Sequence, residues 1–479
     1  MMTILQEHLD KRRRPIPDVV LSHPTFSFLK DPKDLEKFSL HESFYGDLTL
    51  RALIDLEPDS ILFRIPFNCT LTYDEVTNTK LSQLVVDSGV TCSPEVLVWL
   101  NMICWCKIDY ENNVIATYLR SLAEIPPNVS SWPSHLQDLL VGTNLYSVLD
   151  VSGENDNTLG NVQVIQKVLC TVEKIRQFLI ANEMKYKHNN GEDDGDSSKS
   201  IRNLFIPEVS SIFTLKSIAW ARGHFVSRRF PELKTSSKSN IHTQQQYTIG
   251  YGDALSCFIP ILDLMNHNQD ISSTCTVALE GTDMVVVRIG TKGVKGGDEL
   301  FYKYGNLSNE SLLHGYGFCL EDNDQDAISF RICKQQQSID DNNNNNKNNN
   351  TADGGEQFFL KRGGLSEVSK EFWEAIAVDD GGTNGDQLEI GFGDLKMLKE
   401  YVDKKLKDLL LAPGWCDYNT GETTTIREDI AGTILLDEVR KKFIQTYLKG
   451  QKEILQQLQD DLFKMLLQCS DLDDVKEDE

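Results

Sequence analysis

No CxxC pair occurs in this sequence, and no apolar run approaches the ~20 residues that a membrane span requires. The first absence leaves zinc-ribbon and thioredoxin-like readings without support. The second removes the expectation of a spanning helix, and no membrane partner is expected. Basic residues are few against acidic ones, 48 to 72, so the formal net charge is -24. The positive footprint needed for nonspecific nucleic-acid binding is therefore missing. The acidity suits basic protein substrates, and equally a plain solvated acidic surface. The first residues, "MMTILQEHLDKRRR", lack the apolar core of a signal peptide and carry acids too early for a transit peptide. The "KRRR" at Lys11 to Arg14 reads as a nuclear import signal or as a solvated basic turn. No internal repeat is found. The 11 cysteines are scattered, the closest pair being Cys104 and Cys106. Such usage points to free thiols in a reducing compartment, the cytoplasm, the nucleus or both.

What is present is an ordinary core fraction, 40% hydrophobic over 479 residues, which suits two or three domains. Polar, loop-like stretches fall at 188–200, 234–246, 335–357 and 379–387. Each is too polar to offset the entropy of ordering. The third contains an asparagine run, a compositional feature. "LTLRALIDL" and "SILFRIP", on either side of a turn, read as strands within 48–76. Residues 77–233 read mostly as helices, one of them opened by a Ser-Pro signal in "SPEVLVWLNMICWCKI". Strands resume over 247–304, where "TCTVALEG" and "DMVVVRIG" could pair as a hairpin and Gly296-Gly297 supplies turn chemistry. The C-terminal part is helical again. "DLKMLKEYVDKKLKDLLL" sets Leu395, Leu398, Tyr401, Val402 and Leu406 on one face, and a longer helical pattern follows before the acidic "DLDDVKEDE" tail.

Chemistry concentrates in "DLMNHN", residues 263–268, directly after the apolar run "CFIPIL". Unpaired buried polar groups cost roughly 1–3 kcal/mol each, so Asp263, Asn266 and His267 need partners. Backbone, a metal ion and a bound small molecule all remain open. A metal hydrolase built on Asp263 and His267 lacks further His, Cys or carboxylate ligands at plausible spacing, and no metal is expected. In "DELFYKYGN", a strand would align Leu300, Tyr302 and Tyr304 on one face. "GYGF" follows with Tyr316 and Phe318, and "SRRF" upstream carries Arg228 and Arg229. Taken singly, strand tyrosines, an Asn-His pair and an arginine also suit packing and salt bridging.

Together, "FIPILDLMNHN" and "GGDELFYKYGNLSNESLLHGYGF" resemble the C-terminal half of a SET domain. The similarity is to the class of the Rubisco large-subunit lysine methyltransferase, the ribosomal-protein lysine methyltransferases and the actin histidine methyltransferase. "YLRSLAEIPPNVSSWPSHLQDLLVGTNL" resembles that class's helical insert, and "IAWARGHFVSRRF" the helix returning from it. The resemblance implies an α+β fold: a β-rich SET domain with a pseudoknot at 36–318, interrupted by a helical insert at about 77–233. An N-terminal extension (1–35) would precede it. A linker with the Asn-rich stretch (319–357) and an all-helical substrate-binding-like domain with an acidic tail (358–479) would follow.

The implied activity is S-adenosylmethionine-dependent methylation of a protein lysine, by a monomer acting on a protein substrate. By resemblance, Asn266 and His267 contact the cofactor at the pseudoknot, and Tyr304 is the catalytic tyrosine beside it. Arg228, Asp263, Tyr316 and Phe318 fall on the substrate side. Methyl transfer from a sulfonium is an in-line displacement that needs alignment at about 3–3.5 Å and a neutral amine, whose usual pKa is about 10.4. It needs neither a metal nor a covalent nucleophile. The sequence departs from the class at its cofactor loop. Asp47-Leu48-Thr49 stand where Gly-x-Gly is usual, and a one-residue slip offers only Gly46. Asp47 and Leu48 are retained as cofactor candidates. The alternatives are an inactive SET-like protein-binding scaffold, which the missing Gly-x-Gly favours, and methylation of histidine instead of lysine.

Overall fold

The computed structural model describes residues 29, 32–42, 48–107, 114–149, 161–181, 212–230, 258–281, 284–332, 356–376, 390, 392–414 and 428–476. By internal contacts the chain divides into two units, Met1–Trp132 with Asp150–Asn306, and Pro133–Leu149 with Leu307–Glu479. The division falls at Asn306, and residues 133–149 of the helical stretch group with the second unit.

The first unit begins with an antiparallel pair, β1 (Phe38–Glu42) and β2 (Leu48–Ala52). A five-stranded sheet follows, built from β3 (Ile61–Pro66), β4 (Asn266–His267), β5 (Thr274–Glu280), β6 (Met284–Arg288) and β7 (Phe301–Tyr302), in the order β3-β6-β5-β7-β4. The hairpin read in "TCTVALEG" and "DMVVVRIG" is there: β5 pairs antiparallel with β6, Val277 opposite Val287. β3 pairs on the far side of β6. "SILFRIP" and "DELFYKY" thus share one sheet, although helical residues separate them in sequence. Apolar faces of these strands supply a core of Phe38, Leu50, Leu62, Phe63, Ile65, Val285, Val287 and Leu300, all buried.

β7 differs from the strand expected over Leu300 to Tyr304. Only Phe301 and Tyr302 sit in the ladder, between β4 and β5 and parallel to both. The late strand is therefore slotted between two earlier ones that follow each other in sequence, a threaded arrangement.

The insert has its own apolar core. α1 (Pro94–Lys107) starts where the Ser-Pro signal placed it: Ser93 Oγ accepts from Val96 N at 3.4 Å, and Pro94 takes the first helical position. Leu97, Trp99, Leu100, Met102, Ile103 and Cys104 are buried around most of its circumference. α2 (Val114–Ser121), α3 (Asn161–Ala181) and α4 (Leu215–Arg228) complete the cluster through Tyr118, Ile175, Ile218 and Phe225. α4 opens with a capping box between Thr214 and Ser217.

In the second unit, α5 (Asn309–Tyr316) precedes a two-stranded antiparallel sheet, β8 (Ala327–Ile332) with β9 (Glu356–Lys361). The C-terminal region is helical in the main, but this sheet was not expected from the sequence. "AISFRI" and "EQFFLK" flank the Asn-rich stretch, which lies outside the described residues, and their short alternation was hidden by it. α6 (Phe392–Leu410) packs on α7 (Glu428–Lys476). Leu395, Leu398, Val402 and Leu406 are buried as the helical period required, while Tyr401 is 38% exposed and sets its ring 5.4 Å from Phe330.

Candidate active site

The polar cluster after "CFIPIL" is built on a strained turn. Ile261 has φ +72°, a left-handed conformation that β-branched residues rarely adopt. Such strain costs on the order of 1–3 kcal/mol and concentrates at functional sites. It starts the tight turn Leu262–Leu264, which turns Asp263 inward and releases Asn266 and His267 into β4.

Asp263 is buried and partnered by protein. Its Oδ2 accepts from the Tyr118 hydroxyl, its backbone carbonyl accepts from Arg228 Nη1 at 3.0 Å, and the guanidinium lies 3.7 Å from the carboxylate. Arg228 Nε donates to His224 Nδ1 at 3.2 Å, and His224 Nε2 donates to the Ala123 carbonyl at 2.8 Å. That pattern requires a neutral ring. Burial first, then the Arg228 charge, pulls the His224 imidazole down to about 3. Arg228 and Asp263 therefore meet.

His267 and Tyr304 also meet. Tyr304 N donates to His267 Nδ1 at 3.0 Å, and their rings lie 5.2 Å apart, inclined by 37°. The Tyr304 hydroxyl donates to the Met265 carbonyl at 2.8 Å. Both ends of the tyrosine are thus fixed to the turn that carries Asn266 and His267. Burial, with the charge of Lys303 second, lowers the His267 imidazole to about 4, so Nδ1 remains an acceptor at neutral pH. Phe230 and Tyr302 pack beside the pair, their ring centroids 5.4 Å apart.

Asn266 behaves differently. Its side chain is exposed, and its amide nitrogen donates to Glu299 Oε1 at 2.6 Å. Thr49 Oγ1 donates to the same oxygen at 2.7 Å. Leu48 opens β2; Asp47 and Gly46 lie outside the described residues. Tyr316 closes α5 in the second unit, and Phe318 follows after Gly317, the two rings 6.3 Å apart.

Three residues of this arrangement, Tyr118, His224 and Glu299, are not singled out by the sequence, and Thr49 is marked there only as a departure from Gly-x-Gly. Tyr118 and His224 lie inside helical stretches and carry no local mark that sets them apart. His224 and Arg228 are four apart on α4, a spacing that could have signalled their contact. Thr49 and Glu299 are far apart in sequence, and nothing local joins them. Among the described residues, no group of three His, Cys, Asp or Glu side chains is placed to hold a metal ion, and no helix is long and apolar enough to cross a membrane.

No family model matches the chain. It is 24% identical over 298 residues to a protein of Schizosaccharomyces pombe, ribosomal lysine N-methyltransferase set10, covering 60% of this chain and 42% of that one. It is 24% identical over 246 residues to ribosomal lysine N-methyltransferase 1 of Saccharomyces cerevisiae, covering 49% of this chain and 39% of the relative. The matched stretch thus spans about two fifths of each relative's length. Among solved structures, the SET domain of LSMT bound to lysine and AdoHcy superimposes with a TM-score of 0.61 at 18% identity, covering 94% of this chain and 93% of that one. Rubisco LSMT bound to AdoMet gives 0.55 at 17% identity, covering 94% and 93%. The chain has the SET-domain fold.

Proposed function

We propose that this SET-fold chain is an S-adenosylmethionine-dependent protein-lysine N-methyltransferase. The observation that carries the reading is the double anchoring of Tyr304, by its backbone to a neutral His267 and by its hydroxyl to the Met265 carbonyl. A packing tyrosine has no need to be tied at both ends to one strained polar turn.

The residues present suit the cofactor. Asn266 is exposed with its amide nitrogen held, and among the described residues its carbonyl oxygen carries no hydrogen bond, which leaves it open to an ammonium. Asn266 and His267 would hold S-adenosylmethionine, with Tyr304 beside it and Asp47 and Leu48 as further candidates. When bound, that cofactor supplies a methyl group already activated on a sulfonium. The chain's own part is then alignment and exclusion of water. Tyr304 offers a fixed phenol oxygen to orient the acceptor amine. His267 keeps Nδ1 unprotonated so that this oxygen does not shift. Burial and the Arg228 charge, which together lower His224, favour the neutral form of an incoming amine. Arg228, Asp263, Tyr316 and Phe318 are assigned to the substrate.

Lysine is preferred over histidine as acceptor because both curated relatives are named as lysine N-methyltransferases. Ribosomal proteins are the first substrate class to test, and a net charge of -24 suits such basic partners. We assign the chain to the cytoplasm, the nucleus or both, acting as a monomer without nucleic acid or membrane. We also keep the expected plan: a SET domain over 36–318 and a substrate-binding-like region over 358–479.

The test is incubation of the full chain with methyl-labelled cofactor and total ribosomal protein, followed by location of the label. Labelled lysine is the expected result. Cofactor binding without transfer to any protein fraction would favour the inactive scaffold. Label on histidine would overturn the choice of acceptor.

A further inference from the structure

We infer that Glu299 is a positioning residue of the cofactor site, one that joins Thr49 to Asn266. The inference rests on the cofactor reading above. It starts from a contrast in burial. Asn266 is exposed, so packing does not fix its side chain, whereas Thr49 is 4% exposed. One carboxylate oxygen, Glu299 Oε1, accepts from both, at 2.6 Å from Asn266 Nδ2 and 2.7 Å from Thr49 Oγ1. Asn266 Nδ2 also lies 3.5 Å from Thr49 Oγ1, so the three polar groups form a closed triangle.

The backbone sets this triangle in place. β2 runs antiparallel to the segment entering β7. Gly297 N donates to the Ala52 carbonyl at 2.8 Å, Ala52 N to the Asp298 carbonyl at 2.9 Å, and Leu300 N to the Leu50 carbonyl at 2.9 Å. Two residues beyond Glu299, Phe301 pairs with Asn266 in the parallel ladder. Strand side chains alternate, so Glu299 and Phe301 share a face. Glu299 is therefore held between the strand that carries Thr49 and the strand that carries Asn266.

A cofactor contact made by an exposed, unfixed amide loses affinity to the ordering of that side chain on binding. Glu299 removes this cost by ordering Asn266 beforehand. Thr49 stands at the third position of the expected Gly-x-Gly. Its side chain is buried and its hydroxyl is directed to Glu299, so the added Cβ is packed and the hydroxyl is used. On this account the departure from glycine is part of the site, and restoring glycine there weakens it.

The experiment is calorimetric titration of the full chain with S-adenosylmethionine, with the thermal midpoint of each cofactor-free variant as the control for folding. Glu299→Ala is expected to weaken binding at least tenfold. Glu299→Gln, which keeps an acceptor oxygen, should stay within about threefold. Asn266→Ala should lose as much as Glu299→Ala, and the double variant no more than either. Thr49→Val and Thr49→Gly should both weaken binding, while Thr49→Ser retains it. Should Glu299→Ala fail to fold, the Thr49→Val and Asn266→Ala cycle carries the same reading. Additive losses in the double variant would overturn the positioning role, and so would tighter binding by Thr49→Gly. Unchanged binding by Glu299→Ala overturns this inference and leaves the cofactor reading intact. Absence of binding by the unaltered chain overturns both.

Discussion

Acidification should loosen the Tyr304 anchor, and the size of the effect follows from His267. Its imidazole is lowered from the usual 6.5 to about 4, chiefly by burial. The unfolded chain takes up the proton near 6.5, while the folded chain resists until about 4. Between those values the unfolded state holds more protons, so stability is full above pH 6.5 and declines as pH falls toward 4. A shift of this size corresponds to about 3 kcal/mol at the low end. For a unit of this size that is roughly 5 °C in Tm. Protonation also turns Nδ1 from an acceptor into a donor facing the Tyr304 N–H, which sits 3.0 Å away. Other groups titrate over the same range, so the measurement is a difference. The thermal midpoint of the unaltered chain is followed from pH 7 to 4 against His267→Asn, whose Oδ1 replaces Nδ1 as acceptor but does not titrate. The gap between the two curves should shift in favour of the variant by several degrees as pH falls. A gap that stays constant, or a folded-state His267 resonance titrating near 6.5, would refute the argument.

Three further outcomes are expected. Tyr304→Phe removes the donor to Met265, costing about 1 kcal/mol of stability; turnover per folded molecule should fall roughly 30- to 1,000-fold with cofactor affinity little changed. Full activity on a thermally verified preparation would remove Tyr304 from the mechanism. Tyr118→Phe takes a donor from the buried Asp263 carboxylate and should cost about 1–3 kcal/mol in urea denaturation. It should also raise the KM for protein substrate more than that for cofactor, whereas equal changes would confine Tyr118 to packing. Gly142 has φ +88°, and a Cβ there would stand 2.6 Å from the Asp408 carbonyl oxygen. Gly142→Ala should therefore lose at least about 2 kcal/mol, and an unchanged denaturation midpoint would contradict that close approach.

Local periodicity made much of the fold legible. The β5–β6 hairpin alternates and has its turn nearby, and α6 shows a helical stripe, so both could be read from their own residues. β7 could not be sized this way. The alternation in "LFYKY" continues, but the chain leaves the ladder after Tyr302 because the next available N–H, that of Tyr304, is taken by a histidine side chain. β2 was read as a strand, yet its partner β1 was not seen, since "FSLHE" is short and carries a histidine and a glutamate. Within the site, Asp263, Asn266, His267 and Tyr304 stood out because polar groups beside an apolar run demand partners. Glu299 gives no such signal and Thr49 stands out only as a departure from Gly-x-Gly; only the pairing of β2 with residues 297–300 brings them together.

That same pairing governs how the protein is made. Thr49 and Glu299 are 250 residues apart in sequence, so closing the loop between them costs about 5 kcal/mol of chain entropy before any contact repays it. On a ribosome adding about 5–20 residues per second, β2 waits roughly 10–50 s for its partner strand. Throughout that interval β1, which precedes it directly in the chain order of strands, is its sheet neighbour among the described residues. The early hairpin acts as a temporary cover for Leu50 and Ala52, whose apolar side chains are fully enclosed in the finished domain. Chains that stall before residue 297 would lack the segment that pairs with the second edge of β2, so the β2 edge facing residues 297–300 stays open until the last strand of the sheet is made.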